Sequence, residues 1–323
     1  MQTLHRNSFV VLGRAGMDLY ADPIGTRIEA AAGFVAHLGG SAANIAVALA
    51  RQGAKSALVS RVSDDAVGRF CLAQLDHYCV DRRHVSLATG EARTSLAVVE
   101  TRIEDCQSVI YRNNAADFAL TKADVEAVDF SQYGGLVITG TALAQEPSRA
   151  ATLRALDCAL EAGITTVMDI DYRPYSWPSS EEARQVNLRA AQACDIVVGN
   201  DVEFGLLVGD HAKGIAGARA LVAEGAAIAV YKMGEAGAVT VLAEGEFSTS
   251  IYRTEPLKPT GAGDAFMGGF LAALAGGQPL RAAVLRGSAA AAMVVARVAC
   301  SPAMPTRADL DAFLAARPDP EIV

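Results

Sequence analysis

Short apolar runs of strand length alternate with helical patterns along most of this chain, and this alternation constrains the fold more than any other feature. Apolar runs at 9–12 and 56–62 predict two strands, and beyond residue 120 the alternation is regular. The predicted strands there span 135–139, 165–170, 196–198 and 227–231, and the predicted helices span 148–162, 181–194 and 218–224. Strands that alternate with helices are joined by right-handed crossovers and form a mostly parallel sheet. Because no linker divides it, the chain is predicted to be a single α/β domain over residues 1–323.

The composition supports this fold and narrows the function. Hydrophobic residues make up 51% of the chain and aromatic residues only 6%, a mixture that favours close packing of helices on a sheet. The formal charge of −8 argues against nucleic acid or an anionic membrane as a partner. Six scattered cysteines without metal-ligand spacing, and the lack of a long apolar segment, predict a cytoplasmic protein with reduced thiols.

Residues 94–111 interrupt the α/β pattern. Two β-rich runs, 94–101 and 108–111, flank a polar turn and predict an inserted hairpin. Together with an irregular stretch at 19–38, this hairpin is predicted to form a small β-lid, made of about 19–38 and 93–116, over the functional site. Arg112 lies at the return edge of the hairpin, where it could reach a ligand underneath. The alternative for Arg112 is a solvated edge charge.

The stretch 259–270, PTGAGDAFMGGF, carries the clearest chemical signal. Gly261 and Gly263 allow a sharp turn directly before an apolar helical run, so the amides of Gly261, Ala262 and Gly263 can point at one anion. Asp264 follows in the first helical turn, where the helix dipole favours its ionised form. A charged carboxylate beside an anion hole suits a base that deprotonates a hydroxyl as it attacks phosphorus. The alternative is that Asp264 only starts a helix after a glycine turn.

Polar side chains follow several of the predicted strands. They are Asp169, Asp171 and Arg173 after one strand, Asn200 and Glu203 after the next, and Lys232 and Gly234 after a third. Because the carboxyl ends of parallel strands lie on one edge of a sheet, we expect these groups to converge on one site.

Phosphoryl transfer depends mostly on positioning and charge neutralisation, and these residues suit it. Lys232 could neutralise nucleotide phosphates, with Gly234 and Gly237 letting the nucleotide lie close. Asn200 and Glu203 could hold a hydrated Mg²⁺ through its waters. The alternatives are a strand-end surface charge for Lys232 and a solvated helix residue for Glu203. Motifs of P-loop kinases, serine hydrolases, zinc proteases and Rossmann enzymes are missing from the sequence.

The segments Gly39-Gly40-Ser41-Ala42-Ala43-Asn44 and Pro259-Thr260-Gly261-Ala262-Gly263-Asp264 resemble the PfkB, or ribokinase-like, carbohydrate kinases. The resemblance covers essentially the whole chain. It implies an ATP-dependent sugar kinase with a three-layer α/β/α core, a mostly parallel central sheet and a small β-lid. It also implies that Asp264 is the base, that residues 261–263 form the anion hole, and that residues 200 and 203 organise Mg²⁺ and phosphates. The sugar hydroxyls would be bound by Asp18, Gly39, Gly40 and Asn44, although Asp18 read alone could also be a solvated turn residue.

The chain departs from the family pattern at Lys258-Pro259, where members often have Asp-Thr. The aspartate of the family is linked to a monovalent-cation site, so K⁺ is left open as a cofactor beside ATP and Mg²⁺. Relatives often dimerise through the β-lid, and the resemblance therefore implies a homodimer.

More local features resemble the family members that act on six-carbon keto acids. Segments 13–20, 169–177, 258–260 and 300–305 are similar to kinases of 5-dehydro-2-deoxygluconate in inositol catabolism, and segment 169–177 also to kinases of 2-keto-3-deoxygluconate. Segment 300–305 favours the first assignment, with transfer of the ATP γ-phosphoryl group to the C6 hydroxyl. The substrate carboxylate would be bound by Arg173, with Arg14 or Arg112 as further candidates. The rivals are a 2-keto-3-deoxygluconate kinase, another PfkB sugar kinase, and a non-catalytic sugar- or nucleotide-binding regulator.

Overall fold

A nine-stranded sheet lies in the middle of the structure, a computed structural model that describes residue 4 and residues 6–320. The strands are β1 (Ser8–Leu12), β2 (Gly16–Asp22), β3 (Gly33–Gly39), β4 (Lys55–Ser63), β5 (Val85–Ala88), β6 (Ser95–Val99), β7 (Ser108–Tyr111), β8 (Gly135–Thr139), β9 (Thr165–Asp169), β10 (Ile196–Asn200), β11 (Ile228–Lys232), β12 (Ala238–Leu242) and β13 (Gly245–Thr249). The helices are α1 (Ser41–Arg51), α2 (Ala66–His77), α3 (Lys122–Glu126), α4 (Ser148–Glu161), α5 (Ser180–Gln192), α6 (Asp201–Val208), α7 (Gly214–Ala223), α8 (Ala262–Ala275), α9 (Leu280–Val295) and α10 (Arg307–Ala315). The order in the large sheet is β13-β12-β11-β10-β9-β8-β1-β4-β5. In this spatial order the seven strands β11, β10, β9, β8, β1, β4 and β5 run parallel to one another, and β12 and β13 form an antiparallel edge next to β11.

Helices cover both faces of this sheet. Successive strand residues point to opposite faces, so Val11 and Val167 pack with α1, α8 and α9, whereas Val10 and Met168 pack with α4, α5 and α7. Strands buried on both sides need apolar residues at nearly every position, which explains the continuous apolar runs in the sequence. The predicted three-layer α/β/α fold with a mostly parallel sheet is confirmed.

A second, four-stranded sheet in the order β3-β2-β6-β7 forms the lid. Strand β2 pairs with β3 antiparallel and with β6 parallel, and β6 pairs with β7 antiparallel. Tyr20, Ala97 and Val99 of this sheet pack against Val298 and Ala299, which follow α9. The stretch expected to be irregular at 19–38 therefore contains most of two strands. Strand β2 is held by pairing with β6, which lies far along the chain, so the sequence around residues 19–38 does not by itself predict a strand there.

The other predicted elements agree with the structure to within a few residues. Helices α4 and α5 and the parallel strands of the large sheet other than β5 were predicted, whereas β5, the β12–β13 hairpin and helices α9 and α10 were not. Helix α2 begins where the side chain of Asp65 accepts hydrogen bonds from the amides of Val67 and Gly68 at 2.9 and 3.0 Å. None of the helices in the described part of the chain has the length and apolar content needed to span a bilayer.

Candidate active site

Helix α8 begins at an uncapped glycine turn. Gly261 precedes it with φ 85°, a left-handed conformation that favours glycine, and a Cβ there would lie 2.8 Å from Cys300 Sγ. No side chain caps this helix, and the first amides of a helix have no intrahelical acceptor. The amides of Ala262 and Gly263 are therefore available to an anion at the positive end of the helix dipole.

Asp264 lies in the first turn of α8 and is tied to two distant segments. Its Oδ2 accepts a hydrogen bond from Asn44 Nδ2 at 2.9 Å, and Asn44 Oδ1 accepts one from Ser301 Oγ at 2.7 Å. Burial and the nearby Asp171 raise the pKa of Asp264 to about 7, against the opposing effect of the Asn44 hydrogen bond. Desolvation thus opposes the ionised form that the helix dipole is expected to favour.

Acidic side chains meet where β9 and the following loop end. Burial raises the pKa of Asp169 well above its ordinary value, and Asp171, Glu203 and Asp264 raise it further while Lys232 lowers it. These five groups therefore lie close enough to influence one another.

The residues after Asp169 are held by specific contacts. Asp171 accepts a hydrogen bond from Thr141 Oγ1 at 3.0 Å and forms an ion pair with Arg173 at 2.8 Å. The Arg173 side chain is 45% exposed, so this pair lies at the border between protein and solvent.

Asn200 and Glu203 form a capping box at the start of α6. The amide of Asn200 donates to Glu203 Oε2 at 2.7 Å, and the amide of Glu203 donates to Asn200 Oδ1 at 2.9 Å. The second oxygen of Glu203 accepts from the amide of Tyr172 at 3.3 Å. Glu203 is buried, so the alternative of a solvated helix residue is wrong.

These contacts define how a metal ion could fit. Because Asn200 and Glu203 use their oxygens on backbone amides, contact with Mg²⁺ would run through water, as a hydrated ion allows. Across residue 4 and residues 6–320, no group of three or more His, Cys, Asp or Glu has the arrangement of a direct metal site.

Lys232, at the end of β11, lies beside the anion hole. Its Nζ is 3.6 Å from where a Cβ on Gly263 would be, and 5.5 Å from the ring centroid of Phe266. An ammonium here can share an anion with the first amides of α8. Gly234 and Gly237 flank the following turn with φ 56° and 88°. A side chain on Gly237 would collide with the carbonyl of Thr249, so packing within the protein also requires glycine at this position.

The residues predicted to bind sugar hydroxyls meet between β1, the lid and α1. Asp18 is buried; burial raises its pKa, and Arg14 and Lys258 oppose that rise. Within the described residues its Oδ1 has no hydrogen-bond partner. A Cβ on Gly39 would collide with the Asp18 carboxylate, and one on Gly40 with the carbonyl of Arg14. The solvated alternative for Asp18 is wrong, and its free oxygen suits a ligand hydroxyl.

Arg112 is placed differently from the other candidates. It is buried, so the alternative of a solvated edge charge is wrong. Its Nε donates to Asp117 Oδ2 at 3.1 Å, and its guanidinium carbon lies 3.9 Å from the ring centroid of Phe118. Its contacts are thus within its own segment of the chain.

Three groups to which sequence reasoning gave no role shape the site. Ser301 orients Asn44, and Thr141 holds Asp171. Lys258 is fully buried; its Nζ donates to the carbonyl of Thr260 and lies 3.9 Å from Cys300 Sγ. Burial lowers the pKa of Lys258. The Lys258-Pro259 departure from the family pattern pointed to Lys258, and segment 300–305 contains Ser301 without revealing its role, whereas no sequence signal singled out Thr141.

Comparison with known proteins identifies similar chains. A profile described as pfkB family carbohydrate kinase matches residues 6–307. A 5-dehydro-2-deoxygluconokinase of Photobacterium profundum is 38% identical over 313 residues, which cover 95% of this chain and 95% of the relative. Another of that name from Geobacillus kaustophilus is 37% identical over 311 residues, covering 95% of this chain and 93% of the relative.

Solved structures show the same architecture. A double mutant of fructokinase from Vibrio cholerae O395, in a form bound to fructose, ADP and potassium ion, superposes with a TM-score of 0.85 at 28% identity. The match covers 96% of this chain and 99% of that one. The ribokinase-like fold predicted from the sequence agrees with this match.

Proposed function

The chain belongs to the pfkB family of carbohydrate kinases, and from that premise we propose that it transfers the γ-phosphoryl group of ATP to the C6 hydroxyl of 5-dehydro-2-deoxy-D-gluconate, in myo-inositol catabolism. The chain is a phosphotransferase that acts on an alcohol group. The sugar acid is the part of the proposal that needs an experiment.

One observation supports the chemistry above all others. Asp264 lies one residue after Gly263, in the first turn of a helix with no side-chain cap and beside the Lys232 ammonium. In this proposal Asp264 takes the proton of the C6 hydroxyl as its oxygen bonds to phosphorus and ADP departs. The amides of Ala262 and Gly263, together with Lys232, stabilise the charge of the moving phosphoryl group. Asp18 and Asn44, on the glycine-lined side of the site, hold the sugar hydroxyls.

Nucleotide and ions complete the proposed site. ATP would lie against Lys232 and the turn at 234–237, and Mg²⁺ bound with ATP would neutralise phosphate charge, with Asn200 and Glu203 holding its waters. The buried ammonium of Lys258 already binds the Thr260 carbonyl next to the anion hole. We therefore expect turnover without K⁺, although the fructokinase match was solved with potassium bound.

The substrate assignment draws on the relatives and on charge. The two relatives named 5-dehydro-2-deoxygluconokinase match nearly the full length of this chain. A sugar acid also gives a reason for arginines near the site of a chain with net charge −8. A 2-keto-3-deoxygluconate kinase remains the second candidate because segment 169–177 resembles that group as well.

A coupled assay of ADP release tests the proposal. The panel is 5-dehydro-2-deoxygluconate, 2-keto-3-deoxygluconate, fructose and ribose, each measured in potassium and in potassium-free buffer. The highest kcat/KM is expected for the first acid in both buffers, with Asp264→Asn as the control for contaminating kinases. A higher kcat/KM for 2-keto-3-deoxygluconate, or for a neutral sugar, would overturn the substrate. Binding of sugar or ATP without ADP release would favour the non-catalytic regulator.

The proposed setting is a cytoplasmic homodimer that forms through the lid. Phe34, Val35, Val109 and Tyr111 on the lid's edge strands β3 and β7 are all more than 40% exposed. Exposed apolar edge strands gain stability when a second copy covers them. A reducing compartment would suit the six cysteines, which form no disulfide within the described residues.

A further inference from the structure

A sugar acid presents two separate recognition problems, and the second has no assigned residue. Its hydroxyl must reach Asp264, while its carboxylate lies at the opposite end of a six-carbon chain. A carboxylate is bound best by a guanidinium with free N–H groups, which can form two parallel hydrogen bonds. Arg14, Arg112 and Arg173 are the arginines that the sequence associates with this task, and their surroundings differ sharply.

Two of these arginines already hold carboxylates of the protein. Arg112 is paired with Asp117 and covered by Phe118. Arg173 is paired with Asp171 at 2.8 Å. Arg173 also lowers the pKa of Asp264, which places it toward the phosphoryl-transfer end of the site. A substrate carboxylate at either arginine would have to compete with an existing ion pair.

Arg14 has no carboxylate partner in the described part of the chain, and it lies between β1, the lid and α1, where the residues predicted to bind sugar hydroxyls meet. It lies two residues after the end of β1, and its carbonyl accepts a hydrogen bond at 3.2 Å from the amide of Ala43, at the start of α1. Its guanidinium is half-buried, and it acts on Asp18, whose pKa it lowers against burial. It is not among the main charges acting on Asp264. Arg14 therefore lies toward the end of the site where the sugar chain would finish.

The donors of Arg14 are mostly unused. In the part of the chain that the structure describes, its guanidinium makes a single hydrogen bond, from Nη1 to Ser95 Oγ at 3.1 Å, and forms no ion pair within 4.0 Å. An arginine carries five N–H donors, so a bidentate face remains open. Ser95 belongs to lid strand β6, so the lid fixes the direction of this guanidinium.

We propose that Arg14 binds the carboxylate of the sugar acid, with Ser95 holding the guanidinium in place, and that this contact selects acids over neutral sugars. The inference rests on the proposed function, since it requires an acidic substrate. Asp18 and Arg14 then bind neighbouring parts of the substrate. Asp18 accepts hydrogen bonds from the sugar hydroxyls and repels a carboxylate placed beside it, whereas Arg14 binds the carboxylate at the end of the sugar chain away from Asp264.

Paired substrates test this assignment. We would measure kcat/KM for 5-dehydro-2-deoxygluconate and for the analogue whose carboxylate is reduced to an alcohol, using wild type, Arg14→Gln and Arg14→Lys. For the acid, Arg14→Gln is expected to lower kcat/KM by roughly 10- to 100-fold, the factor for losing a hydrogen bond to a charged group. Most of the loss should be in KM, and the alcohol should be affected much less. Arg14→Lys should recover part of the loss because it keeps the charge but not the paired donors.

Further variants separate this role from a structural one. Ser95→Ala should give a smaller loss of the same acid-selective kind, and it keeps the test available if Arg14→Gln fails to fold. Arg173→Gln should impair acid and alcohol alike, because it releases Asp171 beside the reacting end. Arg219→Gln, which removes a surface arginine paired with Glu246, serves as the matched control.

The outcomes distinguish this inference from the proposed function. If wild type phosphorylates the acid but Arg14→Gln loses acid and alcohol equally, or loses neither, the role of Arg14 is overturned and the kinase assignment stands. Acid-selective loss in Arg173→Gln instead would transfer the role to Arg173. If wild type prefers the alcohol, the proposed substrate and this inference both fail.

Discussion

Protonation of Asp264 is expected to switch off turnover below neutral pH. Burial raises the pKa of this carboxylate from 3.8 to about 7 in the free enzyme, and only the ionised form can accept a proton. Each pH unit below 7 lowers the ionised fraction about tenfold. At pH 5 kcat/KM should therefore be about 100-fold below its plateau, or about 2.7 kcal/mol in activation free energy.

The same carboxylate should make the protein less stable as pH rises. Between pH 3.8 and 7 the unfolded chain releases a proton that folded Asp264 retains, so the free energy of unfolding falls across this window. The loss is complete above pH 7 and amounts to at most about 4 kcal/mol. The real value is smaller because the side chain is partly exposed. Asp264→Asn removes this loss and can keep the hydrogen bond from Asn44.

Asp264→Asn should therefore act in opposite directions on activity and stability. We expect kcat to fall by roughly 10² to 10⁴, while the Tm at pH 8 rises and KM for ATP changes little. The assay is ADP release between pH 5 and 9, with the coupling enzymes in excess at every pH, together with thermal unfolding of both proteins. Asn44→Leu is the comparison variant. It removes the hydrogen bond that lowers the pKa of Asp264, so the fall in kcat/KM on acidification should begin at a higher pH than in wild type.

Two results would refute this reasoning. A wild-type kcat/KM that is flat through pH 7 would show that Asp264 is ionised well below neutrality or that it is not the base. Near-normal turnover by Asp264→Asn would remove it from the mechanism altogether.

Three further substitutions test other parts of the molecule. Gly261→Ala places a Cβ 2.8 Å from Cys300 Sγ at φ 85°. We expect the free energy of unfolding, measured by chemical denaturation, to fall by at least about 1 kcal/mol, and the activation free energy derived from kcat in the coupled assay to rise by more than that. An unchanged kcat would show that the turn does not shape the anion hole. Lys232→Met should raise KM for ATP and lower kcat because it removes the cation beside Gly263, and equal effects with and without added Mg²⁺ would argue against a phosphate role. Val109→Asp on the exposed face of β7 should convert the dimer to a monomer in sedimentation experiments, and a monomeric wild type would refute the lid interface.

The large-scale fold could be predicted from the sequence because its signals are local. A parallel strand buried on both faces needs a continuous apolar run, and 135–139 has the length and composition that β8 shows. The first lid strands were missed because their order comes from pairing with residues far along the chain: Asp18 lies opposite Ala97 in β6. The turn before Asp264 was visible because only glycine tolerates the geometry of Gly261.

The site was harder to predict because its side chains are held by distant partners. Asn44 and Asp264 are separated by 220 residues and meet in one hydrogen bond. The family pattern identified both but not the bond, and it included Ser301, in segment 300–305, without indicating that it orients Asn44. Arg112 illustrates the opposite case. Its partner Asp117 is only five residues away, yet the sequence does not tell a residue paired along the chain from one that reaches a ligand.

The protonation of the acidic side chains in the site depends on how deeply they are buried, and not only on how many acids and bases are present. Four carboxylates, Asp169, Asp171, Glu203 and Asp264, meet two cations, Lys232 and Arg173, so the cluster would carry two excess negative charges if all were ionised. Burial raises the pKa of three of them, at residues 169, 203 and 264, which lowers that excess by keeping protons in the site. Phosphates of ATP add negative charge, which a divalent ion would offset, with Asn200 and Glu203 holding its waters. Burial and the nearby Asp171 bring the pKa of Asp264 to about 7, and a divalent ion bound with the nucleotide would favour release of its proton.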